Sequence, residues 1–75
     1  MKIRFSRHAR RRASLYHIQE STILEILQKH QWPPGTHEVI EHVEGFRYPI
    51  KIVAVVEGET LTVITAYPLK KGRNR

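Results

Sequence analysis

Residues 50–67 read IKIVAVVEGETLTVITAY, and this stretch decides the fold. Two runs rich in Val, Ile and Thr flank Gly58-Glu59. A two-residue loop with glycine first is the signature of a type II′ hairpin turn. The chain is therefore predicted to double back, with strands over 48–57 and 60–67. Strict alternation from that turn sets Val56 opposite Leu61, Ala54 opposite Val63, Ile52 opposite Thr65 and Ile50 opposite Tyr67. These eight side chains share one mostly apolar face, which has to be covered. The reverse face carries Lys51, Val53, Val55 and Glu57 beside Thr60, Thr62, Ile64 and Ala66, and is less apolar.

Moving towards the N-terminus, a further strand is predicted over 37–44. Before it, Trp32-Pro33-Pro34-Gly35 stops any helix, since each proline lacks a donor and biases its predecessor towards extended geometry. Residues 19–30 read as a helix with Ile23, Ile26, Leu27 and His30 on one face, widened by Leu24. Glu20 near its start and Lys29 near its end suit the helix dipole. Residues 7–16 read as another helix, with Ser6 as N-cap. Phe5, Ala9, Ala13 and Tyr16 form its apolar stripe, and Arg7, Arg10, Arg11 and Ser14 lie opposite. His8 and Arg12, four residues apart, border the stripe. Lys2 to Phe5 suits a short edge strand. The expected fold class is α+β, two N-terminal helices on one face of a three- to four-stranded antiparallel sheet. Residues 1–69 form a single domain, and 70–75 a basic tail read as flexible.

Charge is distributed unevenly. Ten of the thirteen Lys and Arg residues lie in the first twelve positions or the last six, whereas all seven acidic residues fall between 13 and 69. The net charge of +6 is thus concentrated on a small part of the surface, which favours polyanions such as nucleic acid. The chain has no cysteine, so thiolate nucleophiles and zinc-thiolate sites are excluded. The longest apolar run, Ile52 to Val56, is far short of a bilayer span, and no apolar stretch follows Arg12 as a secretory signal would require. The reading is a soluble cytoplasmic protein. The five histidines form no i, i+4 helical pair, and no phosphate-cradling glycine loop or nucleophile elbow is present. No metal and no cofactor are expected.

Thr65 and Tyr67 close the apolar face of the last strand, and His8 and Arg12 border the helix expected to cover it. That packing would bring the four together, with groups suited to RNA cleavage. One group must take the proton of the ribose 2′-hydroxyl, another must protonate the leaving 5′-oxygen, and cations must stabilise the phosphoryl charge. Imidazole exchanges protons near neutral pH, so His8 suits either proton role. Arg11 and Arg12 suit phosphate, Tyr67 a second proton transfer or base stacking, and Thr65 a hydrogen bond to a phosphate oxygen. The candidate catalytic set is His8, Arg12 and Tyr67. Arg7, Arg10, Arg11, Thr65, Lys70 and Lys71 form the candidate phosphate-binding set. A plain basic binding module and a partner-binding prophage protein are the alternatives.

The opening Phe5-Ser6-Arg7-His8-Ala9-Arg10-Arg11-Arg12 and the closing Val63-Ile64-Thr65-Ala66-Tyr67-Pro68 resemble a family of small bacterial and phage proteins. Its members share a Phe-Ser/Thr-x-His-Ala-x-x-Arg opening and a Thr-x-Tyr close. The family is similar to the barnase/RelE superfamily, which includes the RelE/ParE-like and BrnT-like toxins of toxin–antitoxin systems. The resemblance implies a compact α+β fold whose sheet is an RNA platform, metal-independent endoribonuclease activity on RNA, mRNA in particular, and neutralisation by a cognate antitoxin. By position, His8 and Arg12 match the opening motif, and Thr65 and Tyr67 the closing one. The chain departs from the pattern at Tyr16, where family members often carry a second arginine. It also has only a short tail after the last strand, where ribosome-dependent members carry further basic and aromatic residues.

Overall fold

The computed structural model describes residues 1–69. The elements run β1 (Lys2–Phe5), α1 (Arg7–Leu15), α2 (Glu20–Gln28), β2 (Gly35–Glu41), β3 (Ile50–Glu57) and β4 (Thr60–Pro68). The strands form one sheet in the order β1-β4-β3-β2. One face of it joins Ala9 and Ala13 of α1 and Ile23, Ile26 and Leu27 of α2 in a single buried core. The sheet is mixed rather than antiparallel. β2, β3 and β4 form a meander, but β1 pairs with β4 in parallel, Lys2 with Thr60 through Phe5 with Val63. Parallel neighbours need a long crossover, which α1, α2, β2 and β3 together provide. Among the described residues, no helix is long and apolar enough to cross a membrane.

The β3–β4 hairpin starts as the glycine-first turn predicts. Gly58 has φ +61°, and Val56 pairs with Leu61 and Ala54 with Val63. The register then slips. Val53 pairs with Thr65, Ile52 with Ala66, Lys51 with Tyr67 and Ile50 with Pro68, leaving Ile64 as an unpaired extra residue, a β-bulge. The expected pairs Ile52 with Thr65 and Ile50 with Tyr67 are therefore not formed. Ala66 takes the buried position (0% exposed), and Ile64, at 38%, faces solvent. Packing explains the slip. α1 approaches β4 through the small side chains of Ala9 and Ala13, and an alanine fits beneath them. A regular register would have buried the Thr65 hydroxyl and the Tyr67 ring there, and an unpaired buried hydroxyl costs about 1–3 kcal/mol.

Ser6 ties the bulge to the helix. Its backbone N–H donates to the Val63 carbonyl (2.9 Å), and its hydroxyl donates to the Ile64 carbonyl (3.0 Å). The same Oγ accepts from the N–H of Ala9 (3.0 Å), capping α1. α1 stops earlier than periodicity suggests. His17 takes a left-handed conformation (φ 60°), with His17 N–H donating to the Ser14 carbonyl (3.2 Å) and Ile18 N–H to that of Ala13 (2.8 Å). That is a Schellman closure, and it turns the chain so that Ile18 is buried.

α2 ends at Gln28, so His30 leaves the apolar face where it was expected and is exposed. Trp32 fills the gap. Its Nε1–H donates to the Leu27 carbonyl (2.8 Å), satisfying one orphan acceptor of the helix end. The rings of His30 and His37 pack at 5.2 Å and 5.3 Å from it. β2 is shorter than the predicted 37–44 at its C-terminal end, closing at Glu41, and begins two residues earlier, at Gly35.

Candidate nucleic-acid interface

Paired strand residues share a face, and alternate residues change sides. With the helices covering the face of Ile52, Ala54, Leu61, Val63 and Ala66, the bulge puts Thr65 and Tyr67 on the opposite, uncovered face of the sheet. Lys51 is there too, directly across from Tyr67, with Arg4 across from Thr62 on the other side of β4. This open face is polar at its β1 and β4 side and carries Val53 and Val55 at its centre.

α1 reaches this face around the edge of β4. β1 ends at Phe5, so beyond Val63 the outer edge of β4 is flanked by the helix rather than a strand. Ser6 is anchored at Ile64, and six helical residues rise about 9 Å to Arg12. Three strand residues rise about 10 Å from Ile64 to Tyr67. The helix therefore advances in step with the strand, and Arg12 arrives beside Tyr67. The Arg12 guanidinium carbon lies 5.9 Å from the centre of the Tyr67 ring, within cation–π range and worth about 0.5–1 kcal/mol at an exposed site. Arg12 is half-buried, and among the described residues no carboxylate pairs with its guanidinium, which leaves its donors for an anion.

On the strand next to Tyr67, Lys51 Nζ stands 3.4 Å from Glu38 Oε1 of β2. The Lys51 side chain is 22% exposed and that of Glu38 is 61% exposed, so the lysine is the more enclosed partner and the carboxylate stands in solvent. The phenol thus has the Arg12 guanidinium beside it and Lys51 as its partner on the neighbouring strand, the lysine's ammonium leaning towards β2, with Thr65 two residues before it on the same face. This arrangement can stack one unpaired base and hold adjoining phosphates.

His8 lies one turn before Arg12 on the same flank of α1 and is exposed. By the same rise per residue it stands level with Thr65. Among the described residues, no hydrogen bond orients its ring. Arg7, Arg10 and Arg11 lie elsewhere. They line a shallow, open depression on the outer side of α1 together with Ser14 and Leu15, away from the sheet. Arg10 Nε is 3.7 Å from Glu20 Oε2 of α2, with both side chains exposed. Lys70 and Lys71 fall outside the described residues. The candidate residues thus divide into two surfaces, and the structure adds Lys51 and Arg4 to the one that holds Tyr67. The sequence carried no distinct signal of this: Val63 and Ala66 are apolar with two residues between them, but Ile64 is apolar too and keeps period two with Ala66.

No protein-family model, no curated protein and no solved structure matches this chain.

Proposed function

We propose that this protein is a toxin-like, metal-independent endoribonuclease of the RelE/BrnT kind, serving a toxin–antitoxin or mobile-element system in the cytoplasm. It binds RNA on the open face of its sheet. The observation that carries the reading is the Tyr67 ring beside the Arg12 guanidinium, with Lys51 paired to it on the neighbouring strand, on a surface that the core does not need. Tyr67 takes an unpaired base, Arg12 and Lys51 hold the neighbouring phosphate, and Thr65 donates to one of its oxygens. His8, on the flank over which the strand leaves this face, removes the proton of the 2′-hydroxyl. The 2′-oxygen then bonds to phosphorus and the P–O5′ bond breaks. The leaving oxygen takes a proton, from the Tyr67 hydroxyl or from water, giving a 2′,3′-cyclic phosphate and a 5′-hydroxyl. A cognate antitoxin would silence the protein by covering the Arg12–Tyr67 surface.

A second reading is a binding module without turnover, and the exposed, unanchored ring of His8 favours it. Incubating purified protein with mixed RNA in EDTA separates the two. Cleavage to cyclic-phosphate ends, lost in both His8→Ala and Arg12→Ala, supports the ribonuclease. Binding that is intact and salt-dependent, with no cleavage by wild type, leaves the binding module. Cleavage by His8→Ala at the wild-type rate removes His8 from the mechanism.

A further inference from the structure

We infer that the outer side of α1 is a second RNA-binding face, and that the preferred ligand is an RNA in which a single strand emerges from a duplex. The inference rests on the sheet face binding a single strand, as proposed above. The outer face carries Arg7, Arg10 and Arg11 around an open depression, and the fold gains little from them. Arg7 occupies the first turn, at the positive end of the helix dipole, where no acidic residue balances it. Arg7 and Arg11 are like charges one turn apart, which works against the helix. Among the described residues, Arg10 alone of the three has a close carboxylate, and that pair is exposed and of small worth. Charges that oppose the local structure point to an external anion.

The two faces differ in chemistry. Among the described residues, Leu15, 64% exposed, is the lone apolar side chain lining the depression, and no ring lines it to stack an unpaired base. One leucine is too little to insert into a membrane. Guanidinium groups on a convex helix suit the phosphates of a regular duplex, which is recognised by its backbone rather than by its bases. The sheet face has the ring, the hydroxyls and the lysine that an unstacked strand needs. His8 and Arg12 lie on the flank joining the faces. A strand leaving a duplex on the outer face would therefore reach Tyr67 by passing over His8.

Fluorescence anisotropy tests this with three RNAs blocked by 2′-O-methyl groups: a single strand of about 10 nucleotides, a duplex of about 10 base pairs, and that duplex carrying the single strand as a tail. Wild type should bind the tailed duplex at least about tenfold more tightly than either part, because the second contact becomes intramolecular. R7Q/R11Q should lose the duplex and the tail advantage, with single-strand affinity kept within about twofold. Y67A/K51M should show the reverse. Thermal unfolding checks that both variants fold, and the glutamines on an exposed helix face should leave the midpoint unchanged or raised. Wild type that binds the single strand but not the duplex would overturn this inference and leave the sheet-face reading standing. Equal loss on all three RNAs in R7Q/R11Q would also overturn it, as would stronger capture of the protein by anionic vesicles than by the duplex. Duplex binding without single-strand binding would instead remove the sheet-face reading.

Discussion

Replacing Ser6 by alanine removes one oxygen that serves two elements. Its Oγ accepts from the Ala9 N–H at the start of α1 and donates to the Ile64 carbonyl at the bulge, both at 3.0 Å. Losing an N-cap serine costs about 1 kcal/mol, and losing the bulge hydrogen bond costs about 1 kcal/mol more. The sum of about 2 kcal/mol corresponds to a fall of about 8–16 °C in the unfolding midpoint of a domain this small. Ser6→Thr keeps both bonds and should stay within about 0.5 kcal/mol of wild type. Ser6→Asp can still cap but cannot donate to the bulge carbonyl, so it should fall between the two. High salt screens the aspartate's extra attraction to the arginines of α1. Urea and thermal unfolding followed by circular dichroism measure all three, with Ser14→Ala on the outer face of α1 as the neutral control. Because Ser6 sets where α1 runs along β4, Ser6→Ala should also weaken single-strand binding at Tyr67. A Ser6→Ala protein as stable as wild type would refute the claim that this side chain holds helix and bulge together, and so would equal stability of the Asp and Thr variants.

Other substitutions probe separate parts of the molecule. His17→Gly relieves a side chain held at φ 60° and should stabilise the fold by about 1 kcal/mol in urea unfolding. Ile52→Ala opens a void in the fully buried centre of the sheet and should cost about 2–5 kcal/mol, enough to leave a visible unfolded fraction by circular dichroism at 25 °C. Glu38→Gln releases Lys51 from its carboxylate and should tighten single-strand RNA binding about two- to fivefold, with a steeper dependence on salt. Arg12→Lys keeps the charge but loses the planar group over Tyr67. It should weaken that binding about tenfold or more if the guanidinium is the phosphate contact.

Much of the fold could be read from short-range chemistry. The glycine-first turn at Gly58, the serine cap of α1, the proline pair after Trp32 and the small-residue stripe of Ala9 and Ala13 each act within a few residues. Each therefore leaves a local trace. The parallel placement of β1 left none, because four residues of alternating pattern carry no sign of which strand edge they will join. His17 likewise gave no warning of ending a helix, since a left-handed residue there is usually glycine.

The candidate site divides along the same line. Sequence alone determined which groups are available: a tyrosine and a threonine at the end of the last strand, arginines massed on the first helix, and one histidine at its border. The tertiary structure decided which of them meet. A single extra residue in β4 turns Thr65 and Tyr67 from the core face to the open face, because a side chain's side depends on counting residues from the turn. Only the fit of Ala66 under Ala9 and Ala13 reveals that the count is broken at Ile64. The same packing carries Arg12 to the ring and leaves Arg7, Arg10 and Arg11 on the far side of the helix. Contacts between residues more than fifty positions apart are settled by which arrangement fills the core without burying a lone hydroxyl, and no local pattern encodes that.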